Sequence, residues 1–167
     1  MKIEFNEDTP IIIVMTGLPG SGKSTWRDLF LKDYKRDYVI VSSDDEIERM
    51  AAEVGLNYTD GFEQFVGPAS RICKEKFREA VNNSVDIIWD QTNLTPKKRR
   101  SILSQLKKGY ESYSVVFEIT TSELEKRLAK RERETGKHIP PKVIKDMANT
   151  YIPPSTAEGF KKVTFIK

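Results

Sequence analysis

Ile11-Ile12-Ile13-Val14-Met15-Thr16-Gly17-Leu18-Pro19-Gly20-Ser21-Gly22-Lys23-Ser24 is the stretch on which the fold turns. Its first half is apolar and mostly β-branched, the composition of a strand buried on both faces. Its second half, Gly17 to Ser24, is a complete Walker A element, and Ser24-Thr25-Trp26-Arg27-Asp28-Leu29-Phe30-Leu31 continues it in a helical pattern. Glycines at Gly17, Gly20 and Gly22 let the backbone curl so that amide N–H groups point at phosphate oxygens, at the start of a helix whose dipole favours negative charge. The loop Gly17, Leu18, Pro19, Gly20, Ser21, Gly22, Lys23, Ser24 and Thr25 is therefore assigned to a nucleoside triphosphate. Lys23 is expected on the β- and γ-phosphates and the Ser24 hydroxyl on Mg²⁺, so the ligand is a metal–nucleotide complex.

The 167 residues suit one domain, 1–167, with room for one sizeable core. No run approaches the ~18 apolar residues of a membrane span, and Met1 to Asp8 lacks the apolar region of a signal peptide. A soluble, intracellular, cytoplasmic protein without a membrane partner is expected. The one cysteine, Cys73, has no disulfide partner within the chain and reads as a buried structural thiol, and the lone His138 excludes a histidine-rich metal site. With 28 basic against 25 acidic residues the net charge is only +3, which does not by itself imply a polyanionic partner. Lys97-Lys98-Arg99-Arg100 and the run Lys126, Arg127, Lys130, Arg131, Arg133 concentrate positive charge, each either as a solvated helix face or as a binding surface.

Further strand-like runs lie at 38–43, 85–89, 113–119 and 163–166, and helical patterns at 22–33, 45–54, 65–82, 96–108, 122–134 and 141–149. The alternation predicts an α/β fold of the P-loop NTPase type: a largely parallel sheet of about five strands, helices on both faces, and an arginine-bearing lid at about 131–140. Thr95-Pro96 offers an N-cap followed by proline in the first turn, and Ser122 to Glu125 lies in capping-box register. Gly55 to Gly67 is the least regular stretch and reads either as a substrate-side insertion or as a passive connection.

In an open parallel sheet the residues just beyond the carboxyl ends of the strands converge on one crevice. Ser42-Ser43-Asp44-Asp45 and Asp90-Gln91-Thr92-Asn93 occupy such positions. Transfer of a γ-phosphoryl group to a hydroxyl calls for a carboxylate that receives the proton, and Asp44 is the candidate base, with Asp45 the candidate helix cap. Asp90 ends its strand as a Walker B carboxylate does, orienting Mg²⁺ through water or fixing Lys23 and Ser24. Asp45, Thr92 and Asn93 are candidate acceptor contacts. Lys130 to Pro140 combines arginines with a glycine hinge and a proline boundary, and Arg131 is the candidate donor to the transferring phosphoryl group, with Arg133 left to intrahelical pairing.

With these residues in view the sequence resembles the kinase domain of the P-loop polynucleotide 5′-hydroxyl kinases. The resemblance is carried by Gly17 to Trp26, Asp44-Asp45, Asp90-Gln91-Thr92-Asn93, the segment from Arg131 to Pro140, and Ala157-Glu158-Gly159-Phe160. It implies ATP as donor, Mg²⁺, Asp44 as general base, Arg131 as lid arginine, and a DNA or RNA 5′ end as substrate. One departure is that Ile47 stands where phage members carry an arginine that grips the acceptor phosphate, with Arg49 nearby as a replacement. The chain is also similar to the nucleotide-binding domain of heterogeneous nuclear ribonucleoprotein U-type proteins. Three functions follow as expectations: a polynucleotide 5′-hydroxyl kinase, a kinase of a hydroxymethylated base or small molecule, and a non-catalytic ATP-dependent RNA- or protein-binding module.

Overall fold

The computed structural model describes residues 3–167. In chain order they form β1 (Ile11–Thr16), α1 (Lys23–Lys32), β2 (Tyr38–Val41), α2 (Ser43–Glu53), α3 (Tyr58–Asn82), β3 (Asp86–Asp90), α4 (Pro96–Leu103), β4 (Glu111–Phe117), α5 (Thr121–Thr135), α6 (Pro141–Thr150), a 3-10 turn at Thr156–Glu158 and β5 (Lys162–Ile166). The five strands lie in the order β2-β3-β1-β4-β5 and every pairing is parallel. β1 is central, and all six of its residues are buried. Since successive side chains of a strand point to opposite faces, Ile12 and Val14 join Phe77, Ile87, Trp89, Ile102 and Phe160 on one side. Ile11, Ile13 and Met15 join Ile88, Tyr113, Val115 and Phe117 on the other, where Trp26 and Phe30 of α1 cover them. Helices on both faces explain why β1 reads as an unbroken apolar run rather than an alternating one.

Several elements depart from the expected boundaries: β2 stops at Val41, β4 at Phe117, and α2 begins at Ser43. The irregular stretch 55–67 is mostly helix: α3 begins at Tyr58, capped by Asn57, whose side chain accepts from the Asp60 amide at 2.8 Å. Gly61, Gly67 and Pro68 all depress helix propensity, which hid this beginning. Gly61 is there for contact, because a Cβ on it would lie 2.7 Å from the Ala51 Cβ of α2. The α5 cap is Thr120, accepting from the Glu123 amide, and not Ser122. α4 stops at Leu103 rather than Lys108. β4 starts at Glu111, two residues early, because its buried Ser112 and Ser114 weaken the apolar signal. The Thr95 cap with Pro96 behind it forms as expected.

Candidate active site

β1 feeds its backbone straight into the phosphate loop, and the loop ends on α1. Gly20 and Gly22 take φ of +83° and +101°, in the left-handed region that favours glycine. The Gly17 amide donates to the Thr92 carbonyl at 3.0 Å, which joins the loop to the turn after β3. Lys23 is buried and its Nζ donates to the carbonyls of Gly17 and Leu18, each at 2.9 Å, so the side chain curls over the loop. Burial lowers its pKa to about 8, against the opposing charges of Asp90 and Asp44.

Asp90, the last residue of β3, accepts from the Ser24 hydroxyl and from the Arg27 guanidinium through the same oxygen, both at 2.8 Å. Burial nevertheless holds its carboxyl above the ordinary aspartate value. Arg27, buried on α1, also reaches Asp45 at 2.7 Å and Asp28 at 2.8 Å. Asp45 is therefore an ion-pair partner rather than the cap of α2. That cap is Ser42, whose hydroxyl accepts from the Asp45 amide. Ser24 and Asp90 together present a hydroxyl and a carboxylate beside the phosphate loop, an oxygen donor set of the kind a hard divalent cation takes. No group of three or more His, Cys, Asp or Glu side chains suited to a metal occurs among the described residues. A divalent cation held by Ser24 and Asp90 would complete its shell with phosphate and water.

Asp44 lies on the first turn of α2 and faces the same crevice. One carboxylate oxygen accepts from the Tyr58 hydroxyl at 2.9 Å, and the other from Lys137 Nζ at 3.0 Å. Burial pushes this carboxyl up, but the Lys137 charge, the hydrogen bonds from Lys137 and Tyr58, and the charge of Arg131 outweigh it and hold the pKa below the usual aspartate value. The crevice measures about 1940 Å³. Single small-molecule pockets run to about 300–1000 Å³, so there is room for a nucleotide and a second reactant. Beyond Asp44 its wall carries Tyr58, Phe62 and Val66 of α3, one turn apart on a single face, together with Val143 and Met147 of α6.

The remaining expected site residues divide. Arg131 lines the crevice, with its guanidinium 3.9 Å from Glu48, but it sits within α5, so the non-helical part of the expected lid is only 136–140. Thr92 lines the crevice as well. Arg49 does not: it is held by Glu46 at 3.0 Å and Glu53 at 2.8 Å. Asn93 is buried, with a left-handed backbone, and its amide donates to the Met15 carbonyl at 2.7 Å, so it braces the phosphate loop rather than facing an acceptor. Ile47 is buried and contributes no charge.

Arg27, Tyr58 and Lys137 carry no motif that marks them in the sequence, and Arg127 stands out there only as part of a basic run. Arg127 lies one helical turn before Arg131, and its guanidinium comes within 3.3 Å of where a Gly22 Cβ would be. A brace lies behind the loop. The wholly buried Arg99 of α4 grips Glu158 through two hydrogen bonds, 2.7 and 2.8 Å, and donates to the Asn93 carbonyl at 2.8 Å.

A parallel five-stranded sheet with a glycine-rich loop and a buried lysine at the carboxyl end of its central strand defines a P-loop NTPase fold of the kinase type. The chain belongs to the AAA domain family, matched over residues 12–154. It is 29% identical over 149 residues to an L-seryl-tRNA(Sec) kinase of Methanococcus maripaludis, a match covering 87% of this chain and 54% of that protein. It is 26% identical over 160 residues to mouse heterogeneous nuclear ribonucleoprotein U-like protein 2, covering 92% of this chain and 21% of that one. Among solved structures, a chain of the Pnkp1/Rnl/Hen1 RNA repair complex superposes with a TM-score of 0.67 at 25% identity, over 87% of this chain and 45% of the other. This chain thus spans about half of the seryl-tRNA kinase and about a fifth of the ribonucleoprotein. Among the described residues no helix is long and apolar enough to cross a membrane.

Proposed function

We propose that this chain transfers the γ-phosphoryl group of ATP to an alcohol carried on a nucleic acid, with a polynucleotide 5′-hydroxyl as the leading acceptor. The observation that carries the reading is that Asp44, a half-exposed carboxylate held by Tyr58 and Lys137, shares one crevice with Lys23 and the phosphate loop. Nucleotide capture alone requires no carboxylate there. The acceptor oxygen attacks the γ-phosphorus, the bond from that phosphorus to the β–γ bridging oxygen breaks, and the hydroxyl proton passes to an Asp44 oxygen. Lys23 and Arg131 meet the charge that spreads over the phosphoryl oxygens. Mg²⁺ held by Ser24, and by Asp90 through water, would neutralise the β- and γ-phosphates. A nucleic-acid acceptor draws its support from the seryl-tRNA kinase and the RNA repair complex, to which the chain is similar.

A second acceptor class is favoured by one specific feature. Arg49 is committed to Glu46 and Glu53, Ile47 is buried, and the partly exposed Phe62, Val66 and Val143 line the crevice, a surface suited to an uncharged alcohol with an apolar body. Incubation with γ-labelled ATP and a panel of 5′-hydroxyl DNA, 5′-hydroxyl RNA, seryl-tRNA and small alcohols separates the two. Label on an oligonucleotide end or on tRNA supports the first reading, label on small alcohols alone the second, and label on none of them refutes both. In the active reaction Asp44→Asn should lower kcat by about 10²-fold or more while leaving ATP affinity near wild type.

A further inference from the structure

We infer that Lys137 is a positioning residue that holds the Asp44 carboxylate ready for the acceptor hydroxyl, and does so only while the segment 136–140 is seated on α3. A single side chain makes the seat. Thr59, on the first turn of α3, donates its hydroxyl to the Gly136 carbonyl at 2.8 Å and accepts the His138 amide at 2.9 Å, so one side chain clasps the backbone on both sides of Lys137. Gly136 takes φ of +72°, and a Cβ there would lie 2.7 Å from the Asn57 side-chain nitrogen, so the chain lies directly against the start of α3. The clasp delivers Lys137 to Asp44. The lysine side chain is 2% exposed, its Nζ lies 3.0 Å from Asp44, 3.2 Å from Glu48 and 3.8 Å from the centre of the Tyr58 ring. Tyr58, the neighbour of Thr59, closes the set by donating to the other Asp44 oxygen.

Two donors from two different elements thus fix both oxygens of Asp44: Tyr58 through the packing of α3 on α2, and Lys137 through the contact between α3 and segment 136–140. A buried ammonium is costly unless paired, and Asp44 and Glu48 together satisfy it. In a loose phosphoryl-transfer transition state the proton leaves late, so a well-aimed carboxylate serves better than a strongly basic, mobile one. Lys137 supplies aim and keeps the carboxylate ionised. The groups facing Asp44 are Lys137 from the segment after α5, Tyr58 from α3, Arg131 from α5, Lys23 from α1 and, through Lys137, Glu48 of α2.

The inference rests on the kinase reading, and its test separates the two. The Asp44 carboxyl is titrated by ¹³C NMR in the intact protein without nucleotide, and the acid limb of kcat/KM for phosphoryl transfer is measured alongside, with Asp44→Asn used to assign that limb. Removing a cation in direct contact should raise the Asp44 midpoint by about one pH unit or more in Lys137→Met. Lys137→Arg should bring it back toward wild type, and Thr59→Val, which opens the clasp without touching any charge, should raise it by a smaller amount. The acid limb should move with the midpoint, which a merely structural role would not produce. An unmoved midpoint in Lys137→Met and Thr59→Val overturns the inference. Should Lys137→Met not fold, an unmoved midpoint in Thr59→Val alone overturns it. A protein that phosphorylates no acceptor refutes the kinase reading instead, and the titration still decides the role of Lys137.

Discussion

Replacing Arg99 by methionine should cost this protein far more than its distance from the phosphate loop suggests. The guanidinium is fully buried and makes three short hydrogen bonds, two to Glu158 and one to the Asn93 carbonyl. Methionine fills much of the same volume, so little of the loss comes from packing. What remains is a carboxylate, with a side chain 16% exposed, and a carbonyl, both without their partner. Breaking a buried pair from one side costs about 3–5 kcal/mol, and each kcal/mol lowers Tm by about 2–4 °C in a domain of this size, so a fall of about 6–20 °C is expected. Removing both charges together should cost much less, because two apolar side chains of similar volume often replace a buried pair without loss. Thermal and urea unfolding of wild type, Arg99→Met, Glu158→Met and the double variant form the cycle that measures this. A single-variant loss below about 1 kcal/mol, or losses that simply add, would refute the reasoning.

Three further outcomes follow. Because Lys23 sits near pH 8 before nucleotide arrives, a bound triphosphate should raise its pKa. ATP binding should therefore take up protons between about pH 8 and 9, measured by calorimetry in buffers of different ionisation enthalpy; Lys23→Met should abolish the uptake, and equal heats in all buffers would refute the assignment. Gly61→Ala should destabilise by about 1–3 kcal/mol through collision with Ala51, whereas Gly67→Ala, whose nearest neighbour is the tip of Arg71 at 3.7 Å, should stabilise α3 by about 0.5–1 kcal/mol; urea midpoints of opposite sign are the check. Arg49→Ala should leave KM for any acceptor within about twofold, because its guanidinium is engaged by the buried Glu46 and the exposed Glu53 and does not line the crevice. A KM rise of tenfold would bring it back into the site.

The sheet and the phosphate loop were legible because both are written in short contiguous signals. Residues Ile11 to Ser24 carry strand, turn and helix start in one run, and the positions of Asp44, just beyond β2, and Asp90, at the end of β3, follow from the rule that parallel strands open onto one crevice. What escaped depends on contacts between residues distant in sequence. Lys137 looked like one more cation in a charged segment, and only the fold of α3 brings Tyr58 and Thr59 to it. Arg99 sat in a run of four basic residues that suggested solvent or polyanion, whereas it is wholly buried against Glu158. The first turns of α3 were misread because Gly61 serves a helix–helix contact, and close packing leaves no mark in propensity.

The central position of β1 sets the order in which the molecule can be made. The strand that carries the phosphate loop pairs with β3 on one side and β4 on the other, both of which lie far along the chain. Such distant parallel pairings carry a heavy loop-closure cost and form late. A nascent chain emerging from the ribosome therefore leaves Ile11 to Thr16 with at least one aggregation-prone apolar edge unpaired until Phe117 has emerged, and chains truncated before β4 should neither hold nucleotide nor stay in solution.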